Sequence, residues 1–105
     1  MKQKKMVLLA GLPAADQGRC QGMIDGVIIH TADDQRATLS FLRRNPEIAV
    51  IHVDQFDKDI LQKIAGSGYT GKVIPVTNSC KLMRSSSTYI APRDVPDAVD
   101  RELTM

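Results

Sequence analysis

The sequence has few aromatic residues and little net charge. It contains two Tyr, two Phe and no Trp, and 14 Lys and Arg residues nearly balance 12 Asp and Glu residues, which leaves a formal net charge of +2. Binding of single-stranded nucleic acid relies on stacked aromatic rings, and binding of a duplex relies on clustered cations. We therefore expect no nucleic-acid partner.

Long apolar runs are also absent. None approaches the roughly 20 residues that cross a bilayer, and the run at residues 6–10 is too short for the apolar core of a signal peptide. The two cysteines, Cys20 and Cys80, stand far apart and form no CxxC motif, which is typical of reduced thiols. We expect a cytoplasmic protein that inserts nothing into a membrane and reaches one only peripherally, through a complex.

Four unbroken apolar runs predict the strands of a mainly parallel sheet. They span residues 5–10, 27–30, 48–53 and 72–77. Because side chains alternate between the two faces of a strand, an unbroken run indicates burial on both faces, and we expect residues 27–29 and 48–53 to be fully buried. Pro75 lacks an N–H group, so we expect the fourth run to lie at an edge or to end early. Residues 89–91 can add a short fifth strand.

Helical patterns separate these strands. Between the first two, Pro13 and three glycines leave room only for a poor helix. The second helix is expected to begin at a capping box of Thr31 and Asp34 and to stop at the Asn45–Pro46 pair. The third is expected to begin at Asp57, and its apolar residues, which we assign to the core, are Ile60, Leu61 and Ile64.

The C-terminal quarter is less regular than the rest. A serine-rich stretch, which we expect to contain no helix, precedes a final helix with an apolar stripe formed by Val95, Val99 and Leu103. We therefore expect one domain over residues 1–105, with a core at 1–79 and a mobile C-terminal segment at 80–105. Alternating strands and helices predict an α/β fold. The expected architecture is a small flavodoxin-like or receiver-like three-layer sandwich with four to five strands.

Few residues stand in patterns that support catalysis or metal binding. The turn after the first strand matches neither a Walker loop nor a dinucleotide-binding motif. His30 and His52 lack partners at metal-ligand spacing, so we interpret both as structural. We expect no catalytic residue, no metal ion and no cofactor.

One strand resembles the phosphorylated strand of response-regulator receiver domains. An Asn45–Pro46 pair precedes the apolar run, Asp54 follows it at the position of the phospho-acceptor, and Thr77 stands at the position of the Ser/Thr switch residue. Receivers carry an acidic pair where this chain has Ala10 and Gly11, and they carry a lysine in place of Ala91. The resemblance therefore implies a degenerate receiver that binds partners without phosphorylation.

A second resemblance covers nearly the whole chain. Residues 7–11 with Gly18 and Gly22, residues 39–44 leading into 48–56, residues 60–64, and residues 73–79 resemble the F subunit of V/A-type rotary ATPases, a chain of about this size. That family implies a non-catalytic module of the central stalk, active in ATP synthesis and ion or proton transport, which docks on a coiled-coil shaft subunit. The partner-binding residues expected on the final helix are Val95, Val99, Leu103 and Arg101.

Three functions thus remain open from the sequence. The first is the stalk module of a rotary ATPase, the second is the degenerate receiver, and the third is an enzyme or small-ligand binder of unspecified class. The first two are not enzymes, and they differ in partner, which is a coiled coil for one and a kinase or output domain for the other.

Overall fold

The computed structural model describes residues 5–23, 26–85 and 88–104. Single 3₁₀ turns lie at Val53–Gln55 and Pro92–Asp94. No helix in these ranges is both long and apolar enough to cross a membrane. The strands and helices are β1 (Lys5–Ala10), α1 (Ala14–Met23), β2 (Val27–Ala32), α2 (Gln35–Leu42), β3 (Ile48–His52), α3 (Ile60–Gly66), β4 (Lys72–Val76), α4 (Cys80–Ser85) and α5 (Val95–Thr104).

The four strands form one parallel sheet in the order β2-β1-β3-β4. Beyond β4, Ile90 forms a single parallel bridge with Val76, and its N–H donates to the Pro75 carbonyl at 3.1 Å. This is the flavodoxin-like order, with Ile90 in the position of a fifth strand. The predicted fold class is confirmed.

The two central strands carry the burial that the apolar runs predict. Every residue from Val7 to Ala10 and every residue of β3 is buried, although Val53, just after β3, is only half-buried. The same prediction was wrong for β2, where Ile28 is 42% exposed and Val27 and Ile29 are half-buried. The reason is that β2 is an edge strand, and an apolar run does not by itself reveal a strand's place in the sheet.

Pro75 lies at the opposite edge, as predicted. In a parallel strand the N–H and C=O of one residue point toward the same neighbour. The Pro75 carbonyl faces Ile90, so the Pro75 nitrogen also faces away from β3. The lack of an N–H group at Pro75 therefore removes no hydrogen bond between β4 and β3.

Helices cover both faces of the sheet. Helices α1 and α5 lie over one apolar cluster, which contains Leu9 and Val50, and α2 and α3 lie over the other, which contains Leu8 and Ile51. Cys20, on α1, is fully buried in the first cluster, and burial raises the pKa of its thiol to about 11. The first helix has ten residues, and Gly18 and Gly22 lie on its exposed side.

The final helix belongs to the core. Val95 and Val99 are both 0% exposed, and Leu103 packs against the same cluster. The expected core at 1–79 was therefore too short, because it leaves out Val95 and Val99. The mobility expected for residues 80–105 stays a prediction. A stripe at i, i+4 and i+8 shows that a helix buries one side, but not whether the covering surface belongs to the same chain.

Helix starts differ in detail from the predictions. Thr31 lies in β2, and Asp34 is the N-cap of α2, where its Oδ1 accepts a hydrogen bond from Ala37 N at 2.7 Å. The side chain of Asp57 does not cap α3 but forms a salt bridge with Lys63 at 3.3 Å. A fourth helix is present at Cys80–Ser85, contrary to the prediction.

Replacing Val99 with Ala tests the place of α5 in the core. The change removes two buried methyl groups and leaves a cavity, so we expect the free energy of unfolding to fall by about 2 kcal/mol. Asp100→Ala, on the exposed side of the same helix, should change it by no more than about 0.5 kcal/mol. Urea unfolding measures both, and equal effects would show that α5 does not pack in the core.

Candidate functional site

The carboxyl ends of the strands meet at one edge of the sheet because all four strands are parallel. Asp54 lies in the 3₁₀ turn that follows β3, while Thr77 and Asn78 follow β4 directly. Ligand sites of open α/β sheets lie outside this edge. The topology thus places the two receiver-like residues named from the sequence, Asp54 and Thr77, beside each other.

Asp54 holds the two strand ends together through its carboxylate. Thr77 Oγ1 lies 2.9 Å from Oδ1 and 2.8 Å from Oδ2 of Asp54, and Asn78 N donates to Oδ2 at 2.7 Å. Thr77 is 0% exposed, and its Oγ1 also accepts from Ser79 N at 3.0 Å. Hydrogen bonds to a charged acceptor are stronger than neutral ones. We call this group of residues, Asp54, Thr77 and Asn78, the carboxylate latch.

His52 contacts the same segment after β4 from the core side. It is 0% exposed, and Asn78 Nδ2 lies 3.3 Å from its Nε2. Its Nδ1 is buried and has no hydrogen-bond partner in the described part of the chain. Asn78 is therefore held by its backbone N–H at Asp54 and by its side chain at His52. Sequence reasoning missed this role of Asn78, because Asn is also a frequent residue of ordinary turns.

Two residues without a charged side chain, Ala10 and Gly11, occupy the positions of the receiver's acidic pair. Ala10 is fully buried, and Gly11 has a φ of +76°. A Cβ at Gly11 would lie 3.0 Å from a ring carbon of Phe56 and 3.1 Å from Gln55 Cβ. This close approach excludes a longer side chain without rearrangement of the turn after β3.

No group of three or more His, Cys, Asp and Glu side chains converges on a metal-binding geometry within residues 5–23, 26–85 and 88–104. A Mg²⁺ site usually takes one or two carboxylates together with other oxygen ligands. In the latch, hydrogen-bond donors already approach both oxygens of Asp54. The absence of Mg²⁺ binding at Asp54 stays a prediction.

The residues named for partner binding do not form one exposed surface. Val95 and Val99 are inside the protein, Leu103 is half-buried, and Arg101 is exposed. On the same helix, Glu102 pairs with Lys72 at 3.7 Å across the edge of the sheet. The apolar stripe of α5 is therefore not available to a partner.

A cleft of about 700 Å³ opens beside the latch. It lies between the start of α3 and α4, which belong to segments well separated in sequence, and no local motif predicts it. The lining residues are Val53, Asp54, Phe56, Lys58, Leu61, Ser79, Lys81, Leu82, Ser85 and Tyr89.

No protein-family model, curated protein or solved structure matches this chain. The fold and the latch therefore carry the functional argument. Asp54 and Thr77, the two receiver-like positions named from the sequence, are in contact at the carboxyl edge of the sheet.

The coupling between Asp54 and Thr77 can be measured with a double-mutant cycle. Thr77→Val keeps the side-chain shape but removes the hydroxyl that bonds Asp54 and leaves the Ser79 N–H without its acceptor, so we expect a loss of about 1–3 kcal/mol in the free energy of unfolding. Thr77→Ser, which keeps the hydroxyl, should lose less. In the Thr77→Val background, Asp54→Ala should cost less than in the wild type. Additive effects in urea unfolding would contradict the latch.

Proposed function

We propose that this chain is a non-catalytic protein-interaction module built on a degenerate receiver fold. The observation that carries the proposal is the carboxylate latch, in which Asp54 is bonded to Thr77 and Asn78, while Ala10 and Gly11 replace the acidic pair. Phosphoryl transfer requires positioned Mg²⁺ to neutralise developing charge. Because the Asp54 carboxylate is already hydrogen-bonded, its role in this proposal is to connect the end of β3 to the end of β4.

A signalling protein is the partner that we favour. Docking on a coiled-coil shaft was expected to use the stripe of α5, and the burial of Val95 and Val99 removes that route. The rotary-ATPase hypothesis stays a second candidate because the motif resemblance spans nearly the whole chain. A stalk subunit would have to dock on another surface of the module.

The absence of phosphorylation is tested with a small phosphodonor. After incubation with acetyl phosphate and Mg²⁺, we expect no mass increase of one phosphoryl group. The reason is that Ala10 and Gly11 stand where a receiver has the acidic pair that holds the metal beside the phospho-acceptor. A Mg²⁺ titration should leave the amide shifts of residues 52–56 and 77–79 unchanged. Asp54→Ala is the matched control. A Mg²⁺-dependent phosphoryl adduct that this variant loses would overturn the proposal.

The partner is tested by affinity capture from the native cell, followed by reconstitution with the purified partner. We expect a sensor kinase or output domain whose affinity does not change when Mg²⁺ and phosphodonor are added, because the latch needs neither. Co-purification of coiled-coil and nucleotide-binding ATPase subunits would assign the chain to a rotary ATPase instead. Reconstituted binding that depends on phosphodonor would contradict both assignments.

A further inference from the structure

The cleft beside the latch has the size and composition of a small-molecule site. Its volume of about 700 Å³ falls within the roughly 300–1,000 Å³ of ligand pockets, which combine apolar walls with a few polar groups. Four large side chains of its lining are neither fully buried nor fully exposed: Phe56, Leu61, Leu82 and Tyr89. An apolar body placed between them would remove this remaining surface from water.

The charges of the cleft favour an anion. Lys58 and Lys81 both line it, and neither forms a salt bridge within the described residues. Lys63 and Lys72, outside the cleft, are instead paired with carboxylates. The carboxylate in the lining, Asp54, accepts hydrogen bonds from Thr77 and Asn78 through both oxygens.

We propose that this cleft binds a small amphipathic anion, a molecule with an aromatic or alicyclic body and one carboxylate, sulfonate or phosphate group. The body lies against Phe56, Leu61, Leu82 and Tyr89, and the anionic group faces Lys58 and Lys81. Lys58 and Lys81 are exposed, and two ammonium groups without carboxylate partners attract such a group. The site does not depend on the identity of the protein partner.

Two probes with the same body separate the apolar and ionic contributions. They are 8-anilinonaphthalene-1-sulfonate, which carries an anionic group, and N-phenyl-1-naphthylamine, which does not. In amide-shift titrations of the full chain, we expect saturable changes confined to residues 53–61, 79–85 and 88–89. The sulfonate should bind at least about tenfold more tightly than the neutral probe, a difference of about 1.4 kcal/mol.

Lysine substitutions assign the anion site. Lys58→Gln and Lys81→Gln together should weaken binding of the sulfonate by at least about fivefold and leave the affinity of the neutral probe unchanged. Lys63→Gln is the matched control, because Lys63 lies on α3 but pairs with Asp57 and Asp59. It should change neither affinity. Thermal melting confirms that each variant is folded.

Three results of the probe titrations would overturn the proposal. They are equal affinity for the two probes, shift changes centred outside the cleft, and the absence of saturation at millimolar probe. A loss of affinity in Lys63→Gln equal to that in the double variant would also contradict it, because it would indicate a nonspecific charge effect. None of these results bears on the proposed protein-interaction function, which the phosphodonor and capture experiments test separately.

Discussion

The burial of β3 on both faces is the constraint from which the rest of the structure follows. All five of its residues are buried, and it pairs with β1 on one side and β4 on the other. Its side chains alternate between the two apolar clusters, so a helical layer is needed on each face. Helix α5 supplies part of one layer and cannot leave without exposing the core beneath it.

The polar chemistry lies where this strand leaves the core. His52 is its last residue and remains buried, while Asp54 follows in a turn and is exposed. Both contact Asn78. His52 lies against the side-chain amide of Asn78, and Asp54 accepts a hydrogen bond from the backbone N–H of Asn78. The end of β3 is thus bonded to the residue that follows β4 at two points, one in the core at His52 and one at the surface at Asp54.

Sequence reasoning recovered the four strands and four of the helices, but it missed α4 and most of the relations between elements. Apolar runs located β1 and β3 and their burial, since burial on both faces leaves a continuous pattern. The same pattern failed at β2, because Ile28 lies at an edge that only the strand order defines. The apolar stripe of α5 was recognised but assigned to a partner. Periodicity shows that one side of a helix is covered, but it does not show whether the covering surface belongs to the same chain or to another. Asn78 and the cleft depend on tertiary contacts between distant segments, which no local pattern encodes.

The two edges of the sheet differ in their capacity to pair. At the β4 edge, Ile90 occupies hydrogen-bonding groups next to Pro75, and a proline offers no donor there. The β2 edge has neither charge nor proline along Val27–Ala32, which are the usual means of blocking strand addition, and it carries the exposed Ile28. Of the two edges, β2 is therefore the one less protected against main-chain pairing with an added strand.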